Sequence, residues 1–177
     1  MPLICGVNEY TNTASFVTND TTATDDASWT INATVACIPG CTLTQGYWKT
    51  HNASFKGGAP LDDTWDQILA LKEQTPFYLS GGTWFKVFWT PPSGGNAYYQ
   101  LAHQYMAAKL NSLNGAGMSP AVTTAFNSAT TLLTSANPTA IGTLKGAAKN
   151  NWVNLVGTLG NYNEGNAGVP HCSEQNP

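Results

Sequence analysis

The chain has 177 residues, enough for one sizeable core or two small modules, and 42% of them are hydrophobic. Only 10% are charged, against roughly 25% in an average soluble domain; there is no arginine, all seven basic residues are lysines, and the net charge is -3. That balance leaves no basic stripe and excludes nucleic acid as an expected partner, while the Thr- and Asn-rich polarity is of a kind common in secreted bacterial proteins.

In chain order, residues 9–18 and 27–37 predict two antiparallel strands. Apolar and polar residues alternate in "YTNTASFVT" and "SWTINATVA", and Thr, Val, Ile and Trp suit a pleated, half-buried surface. Between them "NDTTATDD" (19–26) reads as turn material, with Asp25 and Asp26 in the turn and enough oxygens to consider calcium. Two strands alone are marginal in water. Residues 1–38 therefore form an incomplete β segment that needs the following module, another domain or a neighbouring chain.

From residue 39 to 177 the texture is mainly helical. "LDDTWDQILALKEQ" (61–74) predicts a helix with Asp in its first turn and Trp65, Ile68, Leu69 and Leu71 on one face. "FYLSGGTWFKVFW" (77–89) predicts a β-hairpin about Gly81 and Gly82. The stretch 91–115 predicts a helix capped by Ser93 or Asn96 and ended by Gly115, with Leu101, Tyr105, Ala108 and Leu113 as its buried stripe. A further helix opens with Ser119 and Pro120, and the device recurs at Asn137 and Pro138, where interior glycines predict two shorter helices. The tail from Gly168 is coil tied by Cys172. The expected fold is α+β: a short N-terminal β segment of incomplete, sandwich-like strands, then a mainly helical, disulfide-clasped module with a β-hairpin.

The four cysteines are Cys5, Cys37, Cys41 and Cys172, which allow three pairings. No C-x-x-C occurs, which disfavours a zinc ribbon or a thioredoxin-type pair. Cys5 and Cys37 sit at the two ends of the expected hairpin, so they form one natural pair. Cys41 opens and Cys172 closes the helical module, and their bridge is worth about 4–5 kcal/mol in the chain-entropy model. A Cys37–Cys41 link is the rival. Disulfides imply an oxidising, extracellular setting. No apolar run approaches the ~20 residues of a membrane span. The polar start "MPLICGVNEY" reads as a mature chain or a fragment of a longer secreted protein.

"GCTLTQGYWKTH" (40–51), "LSGGTWFKVFWTPPSGGNAYYQLAHQYMAAKLN" (79–111) and "NYNEGNAGVPHCSE" (161–174) resemble a C-terminal module of large, secreted bacterial surface proteins. In those proteins the module often follows β-sandwich repeats whose last strands resemble residues 10–35. The family carries no established activity, so the resemblance implies a location. It also implies the Cys41–Cys172 clasp, since both residues fall inside its motifs.

Chemistry-bearing residues are few. His51, His103 and His171 could hold a zinc ion with one open position, although no two have close helical spacing; the alternative is a structural role. No G-x-S-x-G elbow is present, and the Asp pairs 25–26 and 62–63 are turn and cap residues rather than a glycosidase pair. Aromatic residues are the surplus: Trp48, Trp84, Trp89 and Tyr98, with His51, His103 and His171, are candidates for ligand or interface contacts, against the plainer reading of an aromatic core. Lys49 has no assigned role. Asn19, Asn32 and Asn52 head N-x-[ST] sequons. The expectation is a non-catalytic extracellular structural protein or surface module, secreted or on a cell surface, that assembles by strand exchange with itself or with neighbouring β domains and needs no cofactor. A polysaccharide-binding adhesin module is the second reading and a metal-dependent hydrolase the third.

Overall fold

The computed structural model describes residues 6–35 and 40–173. The chain divides into two compact units, Met1–Ile38 and Pro39–Pro177. No helix among the described residues is long and apolar enough to cross a membrane.

The first unit holds one two-stranded antiparallel ribbon. Strand β1 (Gly6–Val17) pairs with β2 (Thr24–Val35) in unbroken register from Gly6 opposite Val35 to Val17 opposite Thr24. The turn is shorter than expected. Thr18 closes it by donating its N–H to the carbonyl of Ala23 (2.9 Å) and accepting the N–H of Ala23 at its hydroxyl (3.0 Å). Asp20 accepts from the N–H of Thr21 at 2.9 Å, and Thr22 takes a left-handed φ of 54°. Asp25 and Asp26 are consequently strand residues, contrary to the expected turn. On adjacent strand positions their side chains leave opposite faces, so they do not form a calcium loop. Cys5 and Cys37, and with them the Cys5–Cys37 pairing, lie outside the described residues.

The second unit is built on six α-helices among the described residues: α1 (Gln45–Thr50), α2 (Trp84–Trp89), α3 (Ala97–Leu113), α4 (Pro120–Ser135), α5 (Pro138–Gly142) and α6 (Gly146–Asn163). Helix α3 is the axis. Asn96 caps it, accepting from the N–H of Tyr98 at 3.0 Å, and Gly115 follows its end with φ 89°. Leu101, Tyr105 and Ala108 are buried as expected, and Tyr98, Met106, Leu110 and Asn111 join them because other helices pack on several sides of α3. Helix α4 carries its Ser119 cap and N-terminal Pro120, and buries Val122, Ala125, Ala129 and Leu133 at the spacing of one helix face. Asn137 and Pro138 start α5, and α6 follows separately, burying Trp152, Leu159 and Tyr162.

Two expectations fail. Residues 61–74 form two 3-10 turns, Asp63–Gln67 and Lys72–Gln74, not one helix. The Ile68 carbonyl, which a continuing helix would pair with a backbone N–H, accepts the Thr75 hydroxyl instead at 3.3 Å. Trp65 and Ile68 are buried, but Leu69 and Leu71 are 72% and 60% exposed. The hairpin at Gly81–Gly82 is also absent. One bridge, Pro76 to Thr83, is its only β pairing, and the following residues form α2. Thr83 caps that helix by accepting from the N–H of Lys86 at 3.3 Å, and Trp84, Val87 and Phe88 reach the core at helical spacing.

Candidate functional site

Residues directly opposite in an antiparallel pair share a face. On the ribbon this puts Tyr10 with Ile31, Asn12 with Trp29, Ala14 with Ala27 and Phe16 with Asp25 on one side. The other side carries Thr11 with Thr30, Thr13 with Ser28 and Ser15 with Asp26. The Thr11 and Thr30 hydroxyls bond across it at 2.9 Å. The first face is thus largely apolar, and the second polar except at its end, where Val17 lies opposite Thr24 and is 66% exposed. Trp29 is 73% exposed, Ile31 58% and Phe16 57%. Each strand has one paired and one outer edge, and no third strand joins them among the described residues.

In the second unit, "CTLTQGYWKTH" (41–51) is a lock. Cys41 is bonded to Cys172, with 5.0 Å between their Cα atoms. Beside the bridge Thr42 donates its N–H to the Pro170 carbonyl and accepts the N–H of Cys172, both at 2.9 Å. Gly40, at φ 83°, lies so close to the α3–α4 loop that a Cβ there would fall 2.5 Å from the Gly115 carbonyl oxygen. Leu43 is held on both sides by fully buried Asn111: the Leu43 N–H donates to Oδ1 (2.8 Å), and Nδ2 donates to the Leu43 carbonyl (2.9 Å). The same Oδ1 accepts from Trp48 Nε1 at 3.0 Å, and Nδ2 also donates to Asn163 Oδ1 at 3.0 Å. Asn163 in turn donates to the backbone and side-chain oxygens of Gln104, each at 2.9 Å. One polar chain therefore ties α1, α3 and α6 together inside the core.

Beside this lock opens a groove of about 530 Å³ lined by Lys49, Phe88, Trp89, His103, Gln104 and Glu164 among others. Trp89 is 41% exposed, yet its ring is engaged: the Lys49 ammonium sits 4.0 Å from its centroid, and Phe55 stacks at 5.5 Å. His103 donates from Nε2 to the Val87 carbonyl at 2.8 Å. Burial, with a smaller contribution from the Lys49 charge, holds its pKa below the usual histidine value. Tyr47 donates its hydroxyl to Asp62 Oδ2 at 3.0 Å, and burial together with that carboxylate pushes its pKa up to about 12.

Of the expected contact residues, the structure brings Trp89 and His103 into one groove, and Lys49 joins them. Trp48, Trp84 and Tyr98 are not available as contacts: they are core side chains, 0%, 7% and 0% exposed, because each lies on the inward side of its helix. His51 lines a different depression with Thr44 and Thr50, stacked on Tyr47 at 3.8 Å, and gives its Nδ1 hydrogen to the Tyr47 carbonyl at 2.8 Å. His171 does the same toward the Cys172 carbonyl at 2.7 Å. All three histidines thus spend one ring nitrogen on a backbone carbonyl. Among the described residues no group of three or more His, Cys, Asp or Glu is placed to hold a metal ion. Asn19 and Asn32 are exposed. Asn52 is not a glycan acceptor in the folded chain: it is 3% exposed, donates to the carbonyls of Trp48 and Lys49, and accepts from the N–H groups of Ser54 and Phe55. Asn111, Asn163, Gln104 and Glu164 were not singled out from sequence; an Asn in the last turn of α3, on the face of Leu101, Tyr105 and Ala108, is the one signal that could have found the first.

Comparison with protein-family models, with curated proteins and with solved structures finds no match to this chain.

Proposed function

We propose that the chain is a non-catalytic, extracellular structural module whose copies associate through the β1–β2 ribbon, as the subunit of a filament or matrix. The observation that carries this reading is the ribbon's one-sided chemistry: a largely apolar face with Trp29, Ile31 and Phe16 in solvent, on a sheet to which no third strand is added among the described residues. A two-stranded ribbon is marginal alone, and burying such a face and pairing such edges is the ordinary way to complete it. The Cys41–Cys172 bridge favours an oxidising, extracellular setting. The likeness of 40–51, 79–111 and 161–174 to the end module of secreted bacterial surface proteins favours the same place. A surface with 10% charged residues also lowers the repulsion between packed copies.

The groove at Trp89 is where a polysaccharide contact would be sought, but Lys49 and Phe55 already occupy that ring, so this reading is subordinate. The test of the leading one is hydrogen–deuterium exchange as protein concentration is raised. The outward-pointing amides of β1 and β2 should become protected while those of α3 and α6 do not change. Ribbon exchange that is the same at every concentration contradicts the proposal.

A further inference from the structure

The register of the ribbon lines up side chains of very different size along its apolar face. Successive levels pair Tyr10 with Ile31, Asn12 with Trp29, Ala14 with Ala27, and Phe16 with Asp25. The Ala14–Ala27 level, between Trp29 and Phe16, is therefore a hollow floored by two methyl groups. Trp29 is 73% exposed, so its indole stands out of the face beside that hollow. A knob and a hollow on neighbouring levels make the face complementary to itself. In a second copy turned end for end, the hollow meets the first copy's knob and the knob meets its hollow.

Charge selects the same direction. The unit Met1–Ile38 holds four carboxylates, Glu9, Asp20, Asp25 and Asp26, and no lysine, so two ribbons must keep like charges apart. Only Asp25 lies on the apolar face; Glu9 and Asp26 leave the other face, and Asp20 is in the turn. Ribbons running the same way would set the two Asp25 side chains against each other across the ~10 Å between packed sheets. Turned end for end, the level of residue 16 lies over that of residue 10. The two Asp25 side chains then stand six residues apart along the strands, about 20 Å, beyond the screening length of about 10 Å at 0.1 M salt. The same turn lays Phe16 over the partner's Tyr10, whose hydroxyl is a donor at the level of Asp25.

We propose that two copies pack their ribbons face to face about a two-fold axis, Trp29 of each filling the hollow at Ala14 and Ala27 of the other. This rests on the reading of the ribbon as the association surface and adds its partner face and register. The pair closes on itself, so it is the repeating unit of a filament or matrix rather than the contact that propagates one.

The test exchanges knob and hollow at two exposed positions. The variants are Ala27→Trp, Trp29→Ala, and one chain carrying both changes; aromatic residues suit strands, so the ribbon itself is kept. By sedimentation velocity, wild type passes from monomer to dimer as concentration rises. Ala27→Trp fills the hollow and Trp29→Ala removes the knob, and each alone stays monomeric where wild type is dimeric. An equal mixture of the two gives a heterodimer, because two indoles of one copy face two alanines of the other. The chain with both changes dimerises again, with knob and hollow exchanged. A wild type that associates while neither the mixture nor the doubly changed chain does overturns this register and leaves the ribbon reading standing. So does an Ala27→Trp chain that associates as wild type does. A wild type that is monomeric throughout overturns both.

Discussion

Asn111 satisfies four groups with one amide: both backbone groups of Leu43, the indole N–H of Trp48 and the side chain of Asn163. Replacing it by leucine keeps a similar volume and leaves those partners buried without bonds. Each such group costs about 1–3 kcal/mol, so losing all four should lower stability in Asn111→Leu by about 4 kcal/mol or more in urea unfolding; a loss under about 1 kcal/mol would show that the network is not what holds α1 to α3. His103 gives a second expectation. Its folded pKa is lowered, so the unfolded chain binds the proton first as pH falls. Its contribution is complete above the ordinary value of about 6.5 and is lost as pH drops through that value toward the lower folded one. Thermal midpoints of the wild type should therefore fall between about pH 7 and pH 5.5 more steeply than those of His103→Gln, which cannot titrate. Parallel curves would refute the assignment. At this scale the sequence was least informative: Trp48, Trp84, Trp89 and Tyr98 look alike in it, and only packing separates the exposed Trp89 from the three buried rings.

Among the elements, those with a chemical start signal were legible. Asn96, Ser119 and Asn137 cap α3, α4 and α5, where a short polar side chain precedes an apolar face. The strand pair was legible from its alternation. The failures came where local pattern was overruled by tertiary bonds. Thr75 takes the Ile68 carbonyl and ends the expected helix, and Thr83 starts a helix in a run whose aromatics suggested strand. The clasp was legible from the positions of two cysteines, but its neighbours at Thr42 and Pro170 were not. The bridge closes 131 residues, so replacing Cys41 and Cys172 by serine should cost about 4–5 kcal/mol on the chain-entropy account. Calorimetry of the double variant decides, and an unchanged midpoint would mean the hydrogen bonds at Thr42 suffice alone.

For the whole molecule, two units of different character share one chain. The helical unit buries most of its aromatics, satisfies Asn111 and Asn163, and is bonded at Cys41–Cys172. The ribbon keeps Trp29, Ile31 and Phe16 in water and holds only carboxylates as charges. A small unit with that much unburied apolar surface is short of a core, and the proposed association would supply what it lacks. The incompleteness was legible, since two strands cannot make a core. The sidedness was not, because it depends on the register that sets Trp29 opposite Asn12. The central claim is association through the ribbon, and sedimentation velocity over a range of concentrations tests it most directly. Wild type should give a sedimentation coefficient that rises with concentration, and Trp29→Ser with Ile31→Ser should give a folded monomer at every concentration. A wild type that stays monomeric, or a double variant that associates equally well, would contradict the account.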